Sequence, residues 1–487
     1  MTKNHQQPST LDAFIPLIFL VTLLASGVYF FGDSSSSGAN QIALLLSAGV
    51  AAIVGIKNGY RWEEIEQGII KGIGMSLGAV LILLAVGSLI GTWLLAGTVP
   101  TMIYYGLKIL SPSYFYAASC IICAIVALSI GSSWTVAATI GVALIGVATG
   151  LGVSLPITAG AIISGAYFGD KMSPLSDTTN LAPAVAGTEL FTHIRHMAWT
   201  SVPSFVFALI VFIVLGLAES GETAGNKIDQ MLVGLESKFF ISWYLLVPLV
   251  VTLGMAYKKV AAFPAVFIGA LVGGLWAVLF QQELVQSLAS DGLSAATGSL
   301  TVVWSAMFDG ITIETGNSDL NSLLSGGGMS SMLTTIWLII CAMTFGAVME
   351  HVGLLRRVVE LLLSFAQSAS SLIVTTILTA FGCNLLTADQ YIAIVIPGRM
   401  FKDEYEKREL APENLSRALE DGGTVTSALV PWNTCGAYMQ SVLMVNPLDY
   451  AIYCIFNWAS PLFGIIFAMI GFKIKTLVQK EPSVSVV

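Results

Sequence analysis

The segment GDKMSPLSDTTNLAP, residues 169–183, interrupts an apolar run that begins at Ile157. It carries two aspartates, one lysine, four hydroxyl side chains and two prolines. Proline and short polar side chains end or bend a helix, and the backbone groups that they free inside a membrane need partners. The sequence therefore predicts a helix that is broken at membrane depth.

The composition indicates that the whole chain is a polytopic membrane protein. Of 487 residues, 55% are hydrophobic and 10% are charged, whereas soluble domains carry about 25% charged residues. The formal net charge of −8 argues against binding to nucleic acid. The six cysteines lie in or beside apolar runs, so we interpret them as packing residues rather than metal or redox ligands. The first apolar run, 13–31, is longer than a signal-peptide core and predicts a membrane helix.

Short matches between the two halves of the chain indicate an internal repeat. From the second match onward, the paired residues lie 254 to 258 positions apart. A shared separation is more informative than any single match between apolar segments. The matches are Ile15-Pro16-Leu17 with Val247-Pro248-Leu249, Gly74-Met75-Ser76 with Gly328-Met329-Ser330, Gly97 with Gly353, Trp134 with Tyr391, and Pro203 with Pro461.

Each half is predicted to be all-α, with about five transmembrane helices, one re-entrant hairpin and one broken helix. Five crossings reverse the chain, so the halves are expected to be inverted repeats. The predicted units are a first membrane repeat at 1–218 with its hairpin at 114–152 and its broken helix at 155–187, an extracytoplasmic connecting loop at 219–239, a second membrane repeat at 240–475 with its hairpin at 370–400 and its broken helix at 415–444, and a cytoplasmic tail at 476–487.

The distribution of basic residues predicts the orientation. With the N terminus inside, only Lys108, Lys227 and Lys238 fall outside, and Lys171 falls within the membrane. All other Lys and Arg residues lie on the inner face, as the positive-inside rule requires. We therefore expect a multi-pass protein of the bacterial cell (inner) membrane with both termini in the cytoplasm. Two full spans would return the chain to the same side as a re-entrant hairpin, and the polar hairpin tips favour the hairpin.

Four polar segments fall at corresponding places in the halves. They are the hairpin tips IGSSW (130–134) and NLLTADQ (384–390) and the helix breaks SPLSDTTN (173–180) and VPWNTCG (430–436). Paired breaks in apolar segments point to a transport site near the membrane midplane. We align Asp177-Thr178 with Asn433-Thr434.

Asp177 and Asp389 are the aspartates that fall inside a break or a hairpin tip. A carboxylate at membrane depth costs at least about 2.5–3.5 kcal/mol, so a functional role is the default interpretation. The alternative is structural: either carboxylate caps a broken helix, or pairs with Lys171. On the functional interpretation, Na⁺ binds at Asp177. The predicted ion or substrate ligands are Asp177, Thr178, Thr179, Asn180, Ser132, Ser133, Asp389, Asn433 and Thr434.

Further charged residues border these segments. Asp170, Lys171 and Asp421 are candidates for proton coupling or charge compensation. The alternatives are that Lys171 forms a structural ion pair with Asp170 or with a distant carboxylate, and that Glu420 and Asp421 cap a helix N-terminus. His193 and His196, expected at the inner surface, either sense cytoplasmic pH or are ordinary interfacial histidines.

Three signature stretches resemble those of the NhaC family of sodium/proton antiporters. They are GDKMSPLSDTTNLAPAVAGT (169–188), ADQYIAIVIPGRMF (388–401) and LSRALEDGGTVTSALVPWNTCGAY (415–438). The resemblance implies the ion-transporter superfamily, with inverted repeats, a homodimer, and an elevator motion of a transport domain against a scaffold. Because the family also includes malate/lactate sodium-proton exchangers, the resemblance leaves the substrate open.

The expected function is secondary active exchange of cytoplasmic Na⁺, or Li⁺, for external H⁺ through a shared carboxylate site, without a cofactor. The nearest alternative is sodium- and proton-coupled exchange of small carboxylates. An enzyme is not expected, because the sequence pairs no Gly-x-Ser with a membrane histidine and has no Gly-x-Gly-Asp pattern. Direct drive by ATP is not expected either, because the sequence lacks a phosphate-binding loop. A passive channel remains compatible with the composition.

Overall fold

The computed structural model describes residues 6–32, 35, 38–219, 224–290, 292–315, 320–321 and 324–477. This part of the chain is helical, with isolated backbone bridges and no β-strand. Nine described helices are long and apolar enough to cross a membrane, or eleven if two sharply bent helix pairs each count as one span. The prediction of an all-α polytopic membrane protein is therefore confirmed.

The helices of the N-terminal half include two pairs whose members are separated by short breaks. We call Pro112–Ile130 with Ser133–Leu151 the first hairpin, and Leu155–Met172 with Asp177–Ala186 the first broken helix. The remaining helices of this half are Thr10–Phe31, Ala39–Lys57, Trp62–Leu95, Thr98–Ile109, Leu190–Ala218 and Ala224–Lys238.

The C-terminal half also contains two such pairs. The second hairpin is Ala369–Thr387 with Gln390–Lys407, and the second broken helix is Pro412–Leu419 with Thr434–Leu443. Between the arms of the second broken helix lie a π-helical turn, Glu420–Thr424, and a 3₁₀ turn, Ser427–Leu429. The other helices are Trp243–Tyr257, Ala262–Phe280, Gln282–Ser287, Ala295–Phe308, Met329–His351, Leu354–Ser364, Pro447–Tyr453 and Ile455–Met469.

The predicted connecting loop at 219–239 differs from the structure. Most of its described part forms the helix Ala224–Lys238, which buries Met231 and Leu235. A polar loop and an amphipathic helix have similar compositions, and the spacing of these two side chains, four residues apart, is helical. Residues 478–487 of the predicted tail lie outside the described residues.

Helix contacts divide the described chain into two bundles. The first bundle contains 10–95 and 243–351, and the second contains both hairpins, both broken helices, Leu190–Ala218 and Ile455–Met469. The short helices Thr98–Ile109 and Leu354–Ser364 contact both bundles. Each begins after a glycine in the left-handed region, Gly97 with φ 74° and Gly353 with φ 76°, where a side chain would strain the backbone.

The second bundle is packed most tightly where a hairpin crosses a broken helix. A Cβ atom on Gly165 would lie 2.0 Å from the Cys120 carbonyl oxygen, and one on Gly422 would lie 2.3 Å from that of Ile377. Cys120 and Ile377 are 257 positions apart, as are Gly165 and Gly422. Glycine is therefore required at both crossings, where the helix backbones pass in direct contact.

Candidate cation site

The tip of the first hairpin rests on the first helix break. Gly131, with φ 72°, ends the first arm, and Ser132 caps the second arm by accepting a hydrogen bond from the Thr135 amide at 3.2 Å. A Cβ atom on Gly131 would lie 2.6 Å from the backbone carbon of Leu175. The tip and the break are thus in direct backbone contact.

Side chains within the first break satisfy its own backbone. Ser176 caps Asp177–Ala186. Thr179 Oγ1 donates to the Lys171 carbonyl at 2.9 Å, and Asn180 Nδ2 donates to the Ser176 carbonyl at 2.7 Å. Thr179 and Asn180 were predicted as ligands, but here their polar groups hold the two arms of the broken helix in place.

The second half builds its tip and break in the same way. Ala388, with φ 56°, ends one arm, and Asp389 Oδ1 caps the next by accepting from the amides of Tyr391 at 2.9 Å and Ile392 at 3.0 Å. Asn433 caps Thr434–Leu443 by accepting from the Cys435 amide at 3.0 Å. The amide of Asn433 also donates to Asn384. Asn433, another predicted ligand, therefore joins the second break to the second hairpin.

The helix caps give a separation between the two breaks that differs by one residue from the predicted alignment. Ser132 and Asp389 cap corresponding helices 257 positions apart, and Ser176 and Asn433 are separated by the same distance. With that separation, Ser176 rather than Asp177 pairs with Asn433, and the repeat itself stays a prediction. Matches between short apolar segments do not determine an alignment to within one residue, whereas a capping residue marks where a helix starts.

A cavity of about 450 Å³ lies where the tips and breaks meet. Its opposite wall comes from the first bundle, including Ser76 on Trp62–Leu95 and Lys259. Asp177 is exposed to this space, whereas Asp170 and Asp389 are largely buried. The predicted residues that line the cavity are Ser132, Ser133, Asp170, Asp177, Thr178, Asp389 and Thr434. The lining does not include Thr179, Asn180, Asn433, Lys171 or Asp421.

Asp170 contributes to the wall by holding the first hairpin tip. Its Oδ2 accepts hydrogen bonds from the Ser133 amide at 3.0 Å and from the Ser133 hydroxyl at 2.7 Å. A carboxylate at a helix N-terminus is favoured by the free amides and by the helix dipole. The sequence predicts Asp170 as a residue for proton coupling or charge compensation, and the structure places it in the wall of the cavity.

Lys171 forms its ion pair with a carboxylate far along the chain. Its Nζ donates to Asp421 Oδ1 and, at 2.8 Å, to the Ser460 hydroxyl, and neither member of the ion pair is exposed. Ser460 and Thr200 each donate to the same carboxylate oxygen, at 2.8 and 3.0 Å. Of the predicted alternatives, the structural pair with a distant carboxylate is the one observed.

The electrostatic balance of the cavity is negative. The carboxylates of Asp170, Asp177 and Asp389 contribute to its walls, and Lys259 is the basic side chain among its lining residues. Within the described residues, no three His, Cys, Asp or Glu side chains cluster closely enough to form a metal centre. A cation in this cavity would therefore meet separated carboxylates and neutral hydroxyl oxygens.

The family model for the Na⁺/H⁺ antiporter family matches residues 165–472, which contain the first helix break, the second hairpin and the second broken helix. The chain belongs to the Na⁺/H⁺ antiporter family. This confirms the resemblance found in the signature stretches and places the chain among transporters rather than enzymes.

Three relatives match nearly the whole chain. A protein of Haemophilus influenzae named as an uncharacterized Na⁺/H⁺ antiporter is 37% identical over 478 residues, covering 98% of this chain and 99% of the relative. The Na⁺/H⁺ antiporter NhaC of Alkalihalophilus pseudofirmus is 37% identical over 446 residues, covering 91% and 92%. The malate-2H⁺/Na⁺-lactate antiporter of Bacillus subtilis is 36% identical over 471 residues, covering 96% of each.

Several lining residues of this antiporter-family protein were not predicted from its sequence. Ser176, Gln390 and Tyr391 adjoin predicted positions, and the capping pattern could have identified Ser176. Lys259 comes from a loop of the first bundle and has no local signal. Trp134 stacks on Tyr438 with ring centroids 4.0 Å apart, joining the first hairpin to the second broken helix.

The two histidines also lie differently from their prediction. His193 is fully buried and its Nδ1 hydrogen-bonds the Ser416 hydroxyl at 2.7 Å, while His196 is nearly buried. The expected amphipathic surface stretch is instead the start of Leu190–Ala218, which packs against the second broken helix. Interior packing thus accounts for both side chains.

Proposed function

We propose that the protein exchanges cytoplasmic Na⁺, or Li⁺, for external H⁺ through carboxylates of the cavity, with Na⁺ bound at Asp177. The observation that carries the proposal is the cavity, to which both hairpin tips and both helix breaks contribute oxygen-bearing side chains. A small hard cation prefers oxygen ligands. Because a carboxylate can hold either a proton or Na⁺, competition between them couples the two ions.

The ligands fall into two groups. Asp177 has the most accessible carboxylate, with neutral oxygens from Ser132, Thr178 and Thr434 on the same cavity wall and further charge from Asp170 and Asp389. Ser133 orients Asp170 through two hydrogen bonds. The second group, Thr179, Asn180 and Asn433, acts indirectly by fixing the breaks.

The proposed architecture is a pair of inverted repeats, 1–218 and 240–475. The common separation of 257 positions between corresponding caps and between corresponding glycine crossings supports this arrangement. We further propose that the second bundle is the transport domain of an elevator and the first is its scaffold, since the cavity lies between them. A homodimer, a bacterial inner-membrane location and cytoplasmic termini complete the proposal.

The test is Na⁺-dependent dissipation of an imposed pH gradient in vesicles containing the purified protein. Asp177→Asn is expected to abolish this exchange because an amide holds neither the proton nor the charge that Na⁺ requires. Asp449→Asn is the matched control, since Asp449 is exposed and lies outside the cavity lining. Full activity in Asp177→Asn would remove Asp177 from the mechanism.

Lys259 supports a second candidate, the exchange of small carboxylates coupled to Na⁺ and H⁺. Its side chain provides positive charge on the cavity wall, and the Bacillus subtilis relative is named for malate and lactate. If this candidate is correct, Lys259→Gln reduces uptake of labelled malate, whereas Lys258→Gln, outside the lining, leaves it unchanged. If malate and lactate are not transported, the cation exchanger stands.

A further inference from the structure

Glu420 is a buried carboxyl group that no hydrogen bond of ordinary geometry satisfies within the described chain, although the Thr424 hydroxyl lies close enough to act on it. Its side chain is 0% exposed, and neither Oε1 nor Oε2 has a hydrogen-bond partner among the described residues. Burying an unpaired ionised carboxylate costs several kcal/mol, whereas a protonated carboxyl group avoids most of that cost. The surroundings of Glu420 therefore favour the form that carries a proton.

The charges around Glu420 strengthen this conclusion. Lys171, Asp170 and Asp421 are the charged groups that act on it. Lys171 is already paired with Asp421, so it does not neutralise a second carboxylate at full strength. An ionised Glu420 would add a third negative charge around a single lysine.

The helices packed against the Glu420–Thr424 turn provide no other partner. Ile455–Met469 contains no titratable side chain. None of the titratable groups on the other packed helices hydrogen-bonds Glu420 within the described chain. Those groups are Cys383, Tyr391, Tyr405, the charged side chains of residues 399–407, Asp177, Glu413 and Arg417.

The backbone at Glu420 is also unusual. Glu420–Thr424 is a π-helical turn, and such turns are rare and frequently found at functional sites. The Thr424 hydroxyl in this turn is buried without a hydrogen-bond partner as well. The contact of Gly422 with the Ile377 carbonyl holds the turn against the second hairpin.

We propose that Glu420 is a second proton-binding site, separate from the cavity, which holds a proton in this conformation and releases it when Na⁺ occupies the cavity carboxylates. Na⁺ beside Asp170 adds a positive charge that favours the ionised form of Glu420. This coupling rests on the proposed Na⁺/H⁺ exchange, whereas the presence of the proton does not.

Infrared spectroscopy of the purified protein in lipid tests for the proton directly. The wild type is expected to show protonated-carboxyl absorption without Na⁺, and Glu420→Gln is expected to lose the part of that absorption that one carboxyl group contributes. Glu413→Gln is the matched control because Glu413 is buried but paired with Lys475. A full band in Glu420→Gln overturns the proposal. If that variant does not fold, Glu420→Asp must shift the band, and an unshifted band overturns the proposal equally.

Proton release on Na⁺ binding tests the coupling. In weakly buffered solution with a pH indicator, Na⁺ is expected to release fewer protons from Glu420→Gln than from the wild type or Glu413→Gln. Equal release from all three proteins refutes the coupling. Failure of the wild type to exchange Na⁺ for H⁺ in vesicles would instead refute the proposed function, and the infrared band would still decide whether Glu420 holds a proton.

Discussion

The buried pair of Lys171 and Asp421 gives a strong and specific prediction about stability. Replacing one member by an apolar residue of similar volume, as in Asp421→Leu, leaves the other without its charge partner in a fully buried position. Breaking a buried ion pair in this way costs about 3–5 kcal/mol. The remaining hydrogen bond of Lys171 to Ser460 offsets only part of that loss.

Replacing both members together is expected to cost far less. Lys171→Met with Asp421→Leu removes both charges at once, and such replacements are often neutral or stabilising by about 1–4 kcal/mol. The hydroxyls of Ser460 and Thr200 then lose a shared acceptor, so we expect a result close to the wild type. Rescue of the single variants by the double variant is the decisive signature.

The assay is reversible unfolding in detergent micelles, with the single variants, the double variant and an exposed control. Glu360→Gln is a suitable control, because its pair with Arg356 is solvent-exposed and is worth about 0.2–1 kcal/mol. If Asp421→Leu costs no more than this control, the pair does not stabilise the fold. If the double variant loses as much stability as the two single variants combined, the reasoning about paired burial is wrong.

Three further perturbations test the packing and the cavity. Gly422→Ala is expected to destabilise the protein by about 1–3 kcal/mol because its Cβ would meet a backbone oxygen, whereas Gly382→Ala, with nothing within 4 Å, is expected to be neutral or stabilising in the same unfolding assay. Ser133→Ala removes a charge-assisted hydrogen bond from Asp170, worth about 1.5–3 kcal/mol, and should weaken Na⁺ binding measured by calorimetry. Asp389→Ala should lose about 1 kcal/mol of stability because it removes a helix cap. Asp389→Ser should keep the cap and lose only Na⁺ affinity. If Asp389→Ser binds Na⁺ as tightly as the wild type, Asp389 is a structural cap alone.

The local structure around the site could be read from the sequence because short-range chemistry determines it. Gly131 and Pro174 cannot continue a regular helix, and Ser132, Asp389 and Asn433 are residue types that cap helices. A few neighbouring residues are therefore enough to predict the position of each tip and each break. The relation between the halves remains a prediction, and helix capping improves its register by one residue.

Contacts between distant segments determine which side chains face the cavity. Asp170 and Asp177 are both polar residues of one segment, yet Asp170 binds the hairpin tip while Asp177 is exposed to the cavity. The partner of Lys171 lies 250 residues away. Nothing in the neighbouring sequence distinguishes Asp421 from other carboxylates as that partner.

Composition and the signature stretches were enough to identify an all-helical membrane protein of the Na⁺/H⁺ antiporter family with polar breaks in its apolar segments. Composition and the chemistry of capping residues act over a few neighbouring residues, so their effects can be predicted before the fold is known. Contacts between distant segments were needed to show that Asp170 joins the cavity wall and that Lys259 lies on it from the other bundle. They were also needed to show that Glu420 is buried with no hydrogen bond of ordinary geometry from any described residue. Burial and electrostatic interaction depend on distances in space. The close packing of the two bundles determines those distances, whereas the local sequence does not.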